Sequence, residues 1–228
     1  MTTAGTVRRV ALTFDAEHPD RPASPGNEAR LLDTLAGLGI RATFFVQGRW
    51  AEAQPRLARR IADAGHLVGS HSHYHVRLPL LTDDGVADDI RTAETAIVDA
   101  TGTGPRPWFR CPFGAGMDDP RILAAIGAAG YRHVAWDVTA EDWDPDRTAA
   151  DVEQAVVDGT IARGDGAVVL LHAWPDQMLE ALPAIASRLA ADGWSFVRLD
   201  ALERVPEMGP AIDELAAESI TAPPGGGT

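Results

Sequence analysis

The chain has 228 residues, and its 20 basic residues, all arginine, are outnumbered by 33 acidic ones for a formal charge of −13. Hydrophobic residues at 45% and charged residues at 23% are the balance of a folded globular enzyme and exclude a disordered chain. The acidity argues against nucleic acid and anionic membrane surfaces as partners, no run approaches the roughly 18 apolar residues of a membrane span, and the single cysteine, Cys111, excludes an internal disulfide or a cysteine-based zinc finger.

The N-terminal MTTAGTVRRV enters a strand-like stretch directly and lacks the apolar core of a signal peptide, so a cytoplasmic location is expected. Short apolar runs rich in Val, Phe and Leu predict strands over Val7–Phe14, Ala42–Gln47, His66–Gly69, Trp108–Arg110, His133–Trp136, Ala167–Leu171 and Ser195–Leu199. Helical stripes fall between them. In chain order they are Leu31, Leu32, Leu35 and Leu38; Leu57, Ala58 and Ile61; Val86, Ile90, Ala93 and Ile97; Ile122, Leu123 and Ile126; and Leu179, Leu182, Ile185 and Leu189. Gly39, Gly65, Gly102, Gly130 and Gly193 follow these stripes where a left-handed cap is wanted, Thr82 and Thr148 read as N-caps, and Asp119-Pro120 opens a helix. Repeated strand–helix units imply a parallel α/β sheet, and about seven of them imply a single (β/α) barrel. Residues 1–218 are expected to form one domain, and 219–228, ending APPGGGT, a disordered tail.

A parallel barrel carries its active site at the C-terminal ends of its strands. Five of the predicted strand ends bring polar residues to that rim: Asp15, Glu17 and His18; His71, His73 and His75; Arg110; Glu141, Asp142 and Trp143; and His172 with Trp174. The spacing of His71 and His75 puts both imidazoles on one face of a helical turn, where they can hold one divalent metal, with His73 pointing elsewhere. Asp15 and Glu17 form an acidic pair, in which one carboxylate can bind the metal while the other takes a proton from water. His172 ends a fully apolar strand, and Asp142 as its partner suits it to act as a general acid. Arg110 can pair with Asp15 and orient it. Cys111 stands directly before Pro112 and reads as a small buried hydrophobe in preference to a nucleophile. Trp50, Trp143 and Trp174 are placed to cap the groove and shorten it.

Together these motifs resemble the polysaccharide deacetylases with a NodB-homology domain, carbohydrate esterase family 4, from Val7 to Leu199. The H[ST]xxH motif is His71-Ser72-His73-Tyr74-His75, RxPY is Arg110-Cys111-Pro112-Phe113, and LxH is Leu170-Leu171-His172. DxxDW is partial, with Thr139 at its first acidic position and Asp142 and Trp143 kept. The resemblance implies a deformed barrel and a set of roles. Asp15 would be the base that activates water, Arg110 would orient it, and His172, tuned by Asp142, would protonate the leaving amine. The backbone N–H of Phe113 would stabilise the oxyanion, and Trp143 and Leu170 would wall the acetyl groove. The family's TFDD reads here Thr13-Phe14-Asp15-Ala16-Glu17, and Ala16 cannot bind a metal. Some relatives use a DxD arrangement, which makes Glu17 the expected third ligand beside His71 and His75, with Asp15 or a water as alternatives.

The expected function is therefore metal-dependent hydrolysis of a C–N amide, most directly N-deacetylation of an amino sugar or another small amino-sugar substrate. One divalent ion is implied; zinc is the default, and cobalt or nickel would take the same ligands. The alternatives are a small-molecule amidohydrolase acting on cyclic imides or ureides, and a non-catalytic carbohydrate-binding module. The retained Asp15, Arg110, Asp142 and His172 argue against the second, since binding alone needs no acid–base set.

Overall fold

In the computed structural model, which describes residues 7–19 and 24–209, β1 (Arg8–Ala16) runs through the centre of an eight-stranded sheet. The other strands are β2 (Thr43–Val46), β3 (Leu67–Ser70), β4 (Trp108–Phe109), β5 (Arg132–His133), β6 (Val138–Thr139), β7 (Ala167–His172) and β8 (Trp194–Phe196). Their order is β5-β4-β3-β2-β1-β7-β6, and β8 pairs with Arg8–Val10, ahead of the point where β2 joins β1 at Thr13. All these pairings are parallel. Residues 134–137 join the two ends of the sheet, and there the Ala135 N–H donates to the Pro206 carbonyl at 2.8 Å. The result is a deformed (β/α) barrel with the C-terminal segment laid into its seam. Around it stand α1 (Asn27–Leu38), α2 (Gly48–Ala53), α3 (Pro55–Asp63), α4 (Asp83–Thr101), α5 (Pro120–Ala128), α6 (Ala149–Arg163) and α7 (Asp176–Ala191).

Successive residues of a strand face opposite sides of the sheet, and both sides here are apolar. Val10, Leu12, Phe14 and Ala16 join the main core under the helices, together with Leu35, Val152 and Ile185. Ala11 faces the barrel interior with Phe45, Trp108, Val134, Val168 and Leu199. The same alternation turns Thr13 and Asp15 inward on β1. It also turns inward Leu170 and His172 on β7, Arg110 after β4, and His71 after β3. Gly69 shows how tight the interior is, since a Cβ there would lie 2.8 Å from the Phe45 ring and 3.1 Å from Trp108 Cβ.

The caps act as the sequence implies. Thr82 accepts from the Gly85 N–H, Asp119 accepts from the Arg121 N–H, and Thr148 and Asp151 form a capping box. Gly39 and Gly102 close α1 and α4 in the left-handed conformation. Several expectations are corrected. Leu38 and Leu123 fall on the flanks of their stripes and are exposed. Trp50 does not cap the groove; α2 folds back directly after β2 and buries the indole in the main core. Of the strand predicted over His133–Trp136 only His133 pairs, in β5; the chain bends over 134–137 and pairs again in β6, beyond the predicted range. β8 ends at Phe196, and Leu199 opens a 3₁₀ turn whose N–H donates to Thr43 Oγ1 at 3.0 Å. The boundary at 218 and the tail 219–228 lie outside the described residues. Among the described residues no helix is long and apolar enough to cross a membrane.

Candidate active site

The inward-facing strand ends converge on one buried polar cluster. Arg110 is completely buried, and its Nη1 donates to Asp15 Oδ1 at 2.8 Å. Nη2 donates to Thr13 Oγ1 at 2.9 Å and to the Ala135 carbonyl at 3.2 Å, while the guanidinium lies over the Phe45 ring. Thr13 passes its own hydroxyl proton to the Val169 carbonyl at 2.6 Å, so the ion pair is anchored to β1 and β7 at once. The guanidinium thus gives one nitrogen to Asp15 and is itself fixed in direction by Thr13 and the Val134 and Ala135 carbonyls.

His172 sits on the other side of the cluster. Its Nδ1 meets Asp142 Oδ1 at 2.8 Å, and its backbone N–H donates to Asp142 Oδ2 at 2.8 Å. Gln177 holds the Asp142 carbonyl at 2.7 Å. Burial would lower the imidazole pKa, but Asp142, with smaller help from Glu17 and Asp15, overrides it and raises the value to about 9. His172 therefore carries a proton at neutral pH, with Nε2 facing Glu17 Oε1 at 3.9 Å.

Glu17, directly after β1, stands between these two pairs. Its Oε2 lies 3.2 Å from His71 Nε2 and 2.5 Å from His75 Nε2, and the two imidazole nitrogens are 3.2 Å apart. Asp15 Oδ2 is 3.5 Å from His71 Nε2. Burial alone would raise the Glu17 pKa, yet His75, His71 and His172 hold it well below the usual carboxylate range. Burial lowers His75 toward its neutral form; it opposes His71 too, but Asp15 and Glu17 there prevail and raise it. His71 Nδ1 meets the Arg110 carbonyl at 2.9 Å, which leaves Nε2 for the cluster. Glu17 Oε2 has no well-formed hydrogen bond despite the approach of both imidazoles. One divalent cation would satisfy all three atoms, and nitrogen and oxygen donors of this kind suit zinc, cobalt or nickel.

The histidine pair does not lie on a helical turn as its spacing suggests. Residues 71–77 form a loop in which Ser72 and His75 take the left-handed conformation, at φ 61° and 55°. Three contacts shape it. Asp89 of α4 accepts from the His73 N–H at 2.9 Å and the Tyr74 N–H at 3.1 Å, Ser72 Oγ accepts from the His75 N–H at 2.9 Å, and the Ser72 carbonyl accepts from the Gly48 N–H at 2.9 Å. His73 turns away from the cluster, and a Cβ on Gly48 would lie 2.4 Å from its Nδ1. Asp89 was missed from sequence because it is one of six acids on α4; its signal is helical phase, on the same face as Val86, Ala93 and the core. His18 was also unassigned, although Glu17, His18 and His75 offer ligand atoms within 4.8 Å of one another.

The groove residues ring this centre. The Phe113 ring packs edge-on to His75 at 4.4 Å between centroids, in the turn Pro112–Gly114, with the Arg77 guanidinium above it. Trp143 and Trp174 flank the His172 ring at 5.2 and 6.1 Å. Leu170 packs with Ala135 and Trp136, and Trp143 lies against them. Outside the two tryptophans a cleft of about 500 Å³ is lined by Ser24, Pro25, Pro145, Pro175, Asp176 and Gln177. Cys111 is buried and its thiol is pushed up to about 12 by desolvation, which removes the thiolate a nucleophile needs.

Residues 3–134 match the family model described as polysaccharide deacetylase. Among curated proteins, the peptidoglycan N-acetylglucosamine deacetylase of Listeria monocytogenes is 35% identical over 199 residues, covering 87% of this chain but only 40% of that longer protein. A chitooligosaccharide deacetylase of Rhizobium leguminosarum bv. trifolii is 34% identical over 203 residues, covering 82% of this chain and 88% of that protein. Among solved structures, a carbohydrate esterase family 4 pseudoenzyme from Bacillus anthracis superposes with a TM-score of 0.76 at 26% identity, covering 86% of this chain and 65% of that one.

Proposed function

The chain belongs to the polysaccharide deacetylase family, and from that premise we propose that it removes the acetyl group from an N-acetylated amino sugar by metal-assisted amide hydrolysis, with residues 1–218 as the catalytic unit. The observation that carries this reading is the placement of two complete proton-handling pairs, Asp15–Arg110 and His172–Asp142, on opposite sides of the Glu17, His71 and His75 donor set. Those three side chains hold the ion, which when bound supplies Lewis-acid polarisation of the amide carbonyl and makes water more acidic. Asp15 takes the proton from the attacking water, and Arg110 keeps its carboxylate turned toward that water. His172, protonated and held through Nδ1 by Asp142, delivers its Nε2 proton to the departing amine nitrogen. The Phe113 N–H donates to the oxygen on which charge develops. Trp143 and Leu170 wall the acetyl methyl.

The cleft lined by Trp143 and Trp174 suits stacking on a sugar ring, and the substrate proposed is a mono- or disaccharide. The test compares kcat/KM on N-acetylglucosamine conjugates and on chitin oligomers of increasing length. A flat profile is expected; a steady rise with length would reveal an open multi-subsite groove and overturn the short-substrate reading. A non-catalytic role draws on Ala16 and on the Bacillus anthracis pseudoenzyme. The intact acid–base pairs weigh against it.

A further inference from the structure

We propose that His18 is a fourth protein donor to the ion, so that the centre is Glu17, His18, His71 and His75. This rests on the metal reading above and adds to it. Glu17, His18 and His75 bring three ligand atoms within 4.8 Å of one another. His18 Nε2 lies 3.5 Å from Glu17 Oε1, and its ring stands edge-on to His75 at 4.3 Å between centroids. His71 Nε2 joins at 3.2 Å from Glu17 Oε2 and 3.2 Å from His75 Nε2. Nitrogen and oxygen ligands sit about 2.0–2.2 Å from such an ion, so two of them are at most about 4.4 Å apart. The His71, His75 and Glu17 Oε2 atoms lie 2.5–3.2 Å from one another, inside that limit, and His18 Nε2 reaches the second carboxylate oxygen, Oε1, at 3.5 Å.

The backbone supplies an independent observation. His18 is held at φ 52°, in the left-handed region that a histidine enters at some cost. Its N–H donates at 2.8 Å to Oε1 of Gln47, itself buried at the start of α2. Across the cluster His75 is also left-handed, at φ 55°. Two strained residues thus present their rings to each other around one carboxylate, an arrangement that an ion shared between them explains. Moving the acidic ligand from position 16 to position 17 carries the chain one residue further into the site and brings the next side chain within reach. The consequence is chemical. Four protein donors saturate a tetrahedral ion, so a reactive centre here needs an ion that accepts five or six ligands.

The test uses the full chain, stripped with a chelator and reloaded with Co²⁺ alone. X-ray absorption at the cobalt edge counts bound imidazoles, and chelator competition gives Kd. Wild type should show three imidazoles. His18→Asn should show two, with Kd raised by roughly tenfold or more. Asparagine tolerates the left-handed backbone, so this variant keeps the local fold. Two imidazoles in the wild type, with Kd unchanged in His18→Asn, would overturn the proposal while leaving the three-donor site standing. His71→Ala separates the two readings, because it should lose one imidazole whatever His18 does. Cobalt bound without change in His71→Ala, or not bound by wild type, would overturn the metal reading beneath.

Discussion

Asp15, Arg110, Asp142 and His172 already have their partners: each is tied by hydrogen bonds of 2.8 Å to another member of the set, and strands β1 and β7 carry the two ends. Glu17, His18, His71 and His75 stand on loops, and the three imidazoles gather around the Glu17 carboxylate at 2.5–3.5 Å. The proton-handling half is complete without a cation. The donor half is a set of imidazoles around one carboxylate, shaped by left-handed residues and by Asp89. The halves should therefore respond to different perturbations, and the predictions are chosen to separate them.

The largest effect belongs to the proton-handling half. Asp15→Asn and His172→Ala should each lower turnover by roughly 10²–10⁴ while metal content stays at the wild-type level. Steady-state kinetics with metal analysis on the same samples checks this, and near-wild-type turnover in Asp15→Asn would remove Asp15 from the reaction. Stability should separate the halves next. Arg110→Ala strands a buried carboxylate and should cost about 3–5 kcal/mol in the metal-free protein. His71→Ala leaves Arg110 on Asp15 and His75 on Glu17, so each carboxylate keeps a partner and the loss should be smaller there. Urea unfolding of both apo proteins measures the contrast, and equal losses would abolish it.

The pH dependence is a finer probe. The folded pKa of His172, about 9, is raised above the ordinary histidine value near 6.5. The protonated His172–Asp142 pair thus stabilises the fold fully below that ordinary value, and the contribution is lost as pH rises through about 9. Turnover should fall over the same upper range, because the acid has lost its proton. Asp142→Asn removes the largest raising partner, leaving burial opposed only by Glu17 and Asp15, so the basic limb should move to lower pH. A limb that stays in place would assign it to another group.

Much of this was legible in the sequence because a strand's period is two. Once β1 is recognised, Asp15 and Glu17 fall on one face and Ala16 on the other, and the helix caps at Thr82, Asp119 and Thr148 fix where the crossovers begin. What escaped depends on tertiary contacts. Val138–Thr139 is a two-residue strand defined by its partner β7 and by no apolar run of its own. The α6 stripe of Val152, Val156 and Val157 went unread between acidic and small residues. The loop bearing His71 and His75 mimics helical spacing, while its shape comes from Asp89 on a different element. Trp50 looked like a rim residue because sequence gives its place after β2 but not the direction in which α2 turns.

The central claim is that Glu17 supplies the acid missing at position 16, and acetate release from N-acetylglucosamine oligosaccharides tests it most directly when metal-loaded wild type, Glu17→Ala and Ala16→Asp are compared. Ala16 is fully buried with Phe14 and Leu35 on the face away from the site, so an aspartate there would place a charge in the core. The account predicts acetate release by the wild type, loss of both metal and turnover in Glu17→Ala, and no gain in Ala16→Asp. An inactive wild type that begins to release acetate as Ala16→Asp would contradict it.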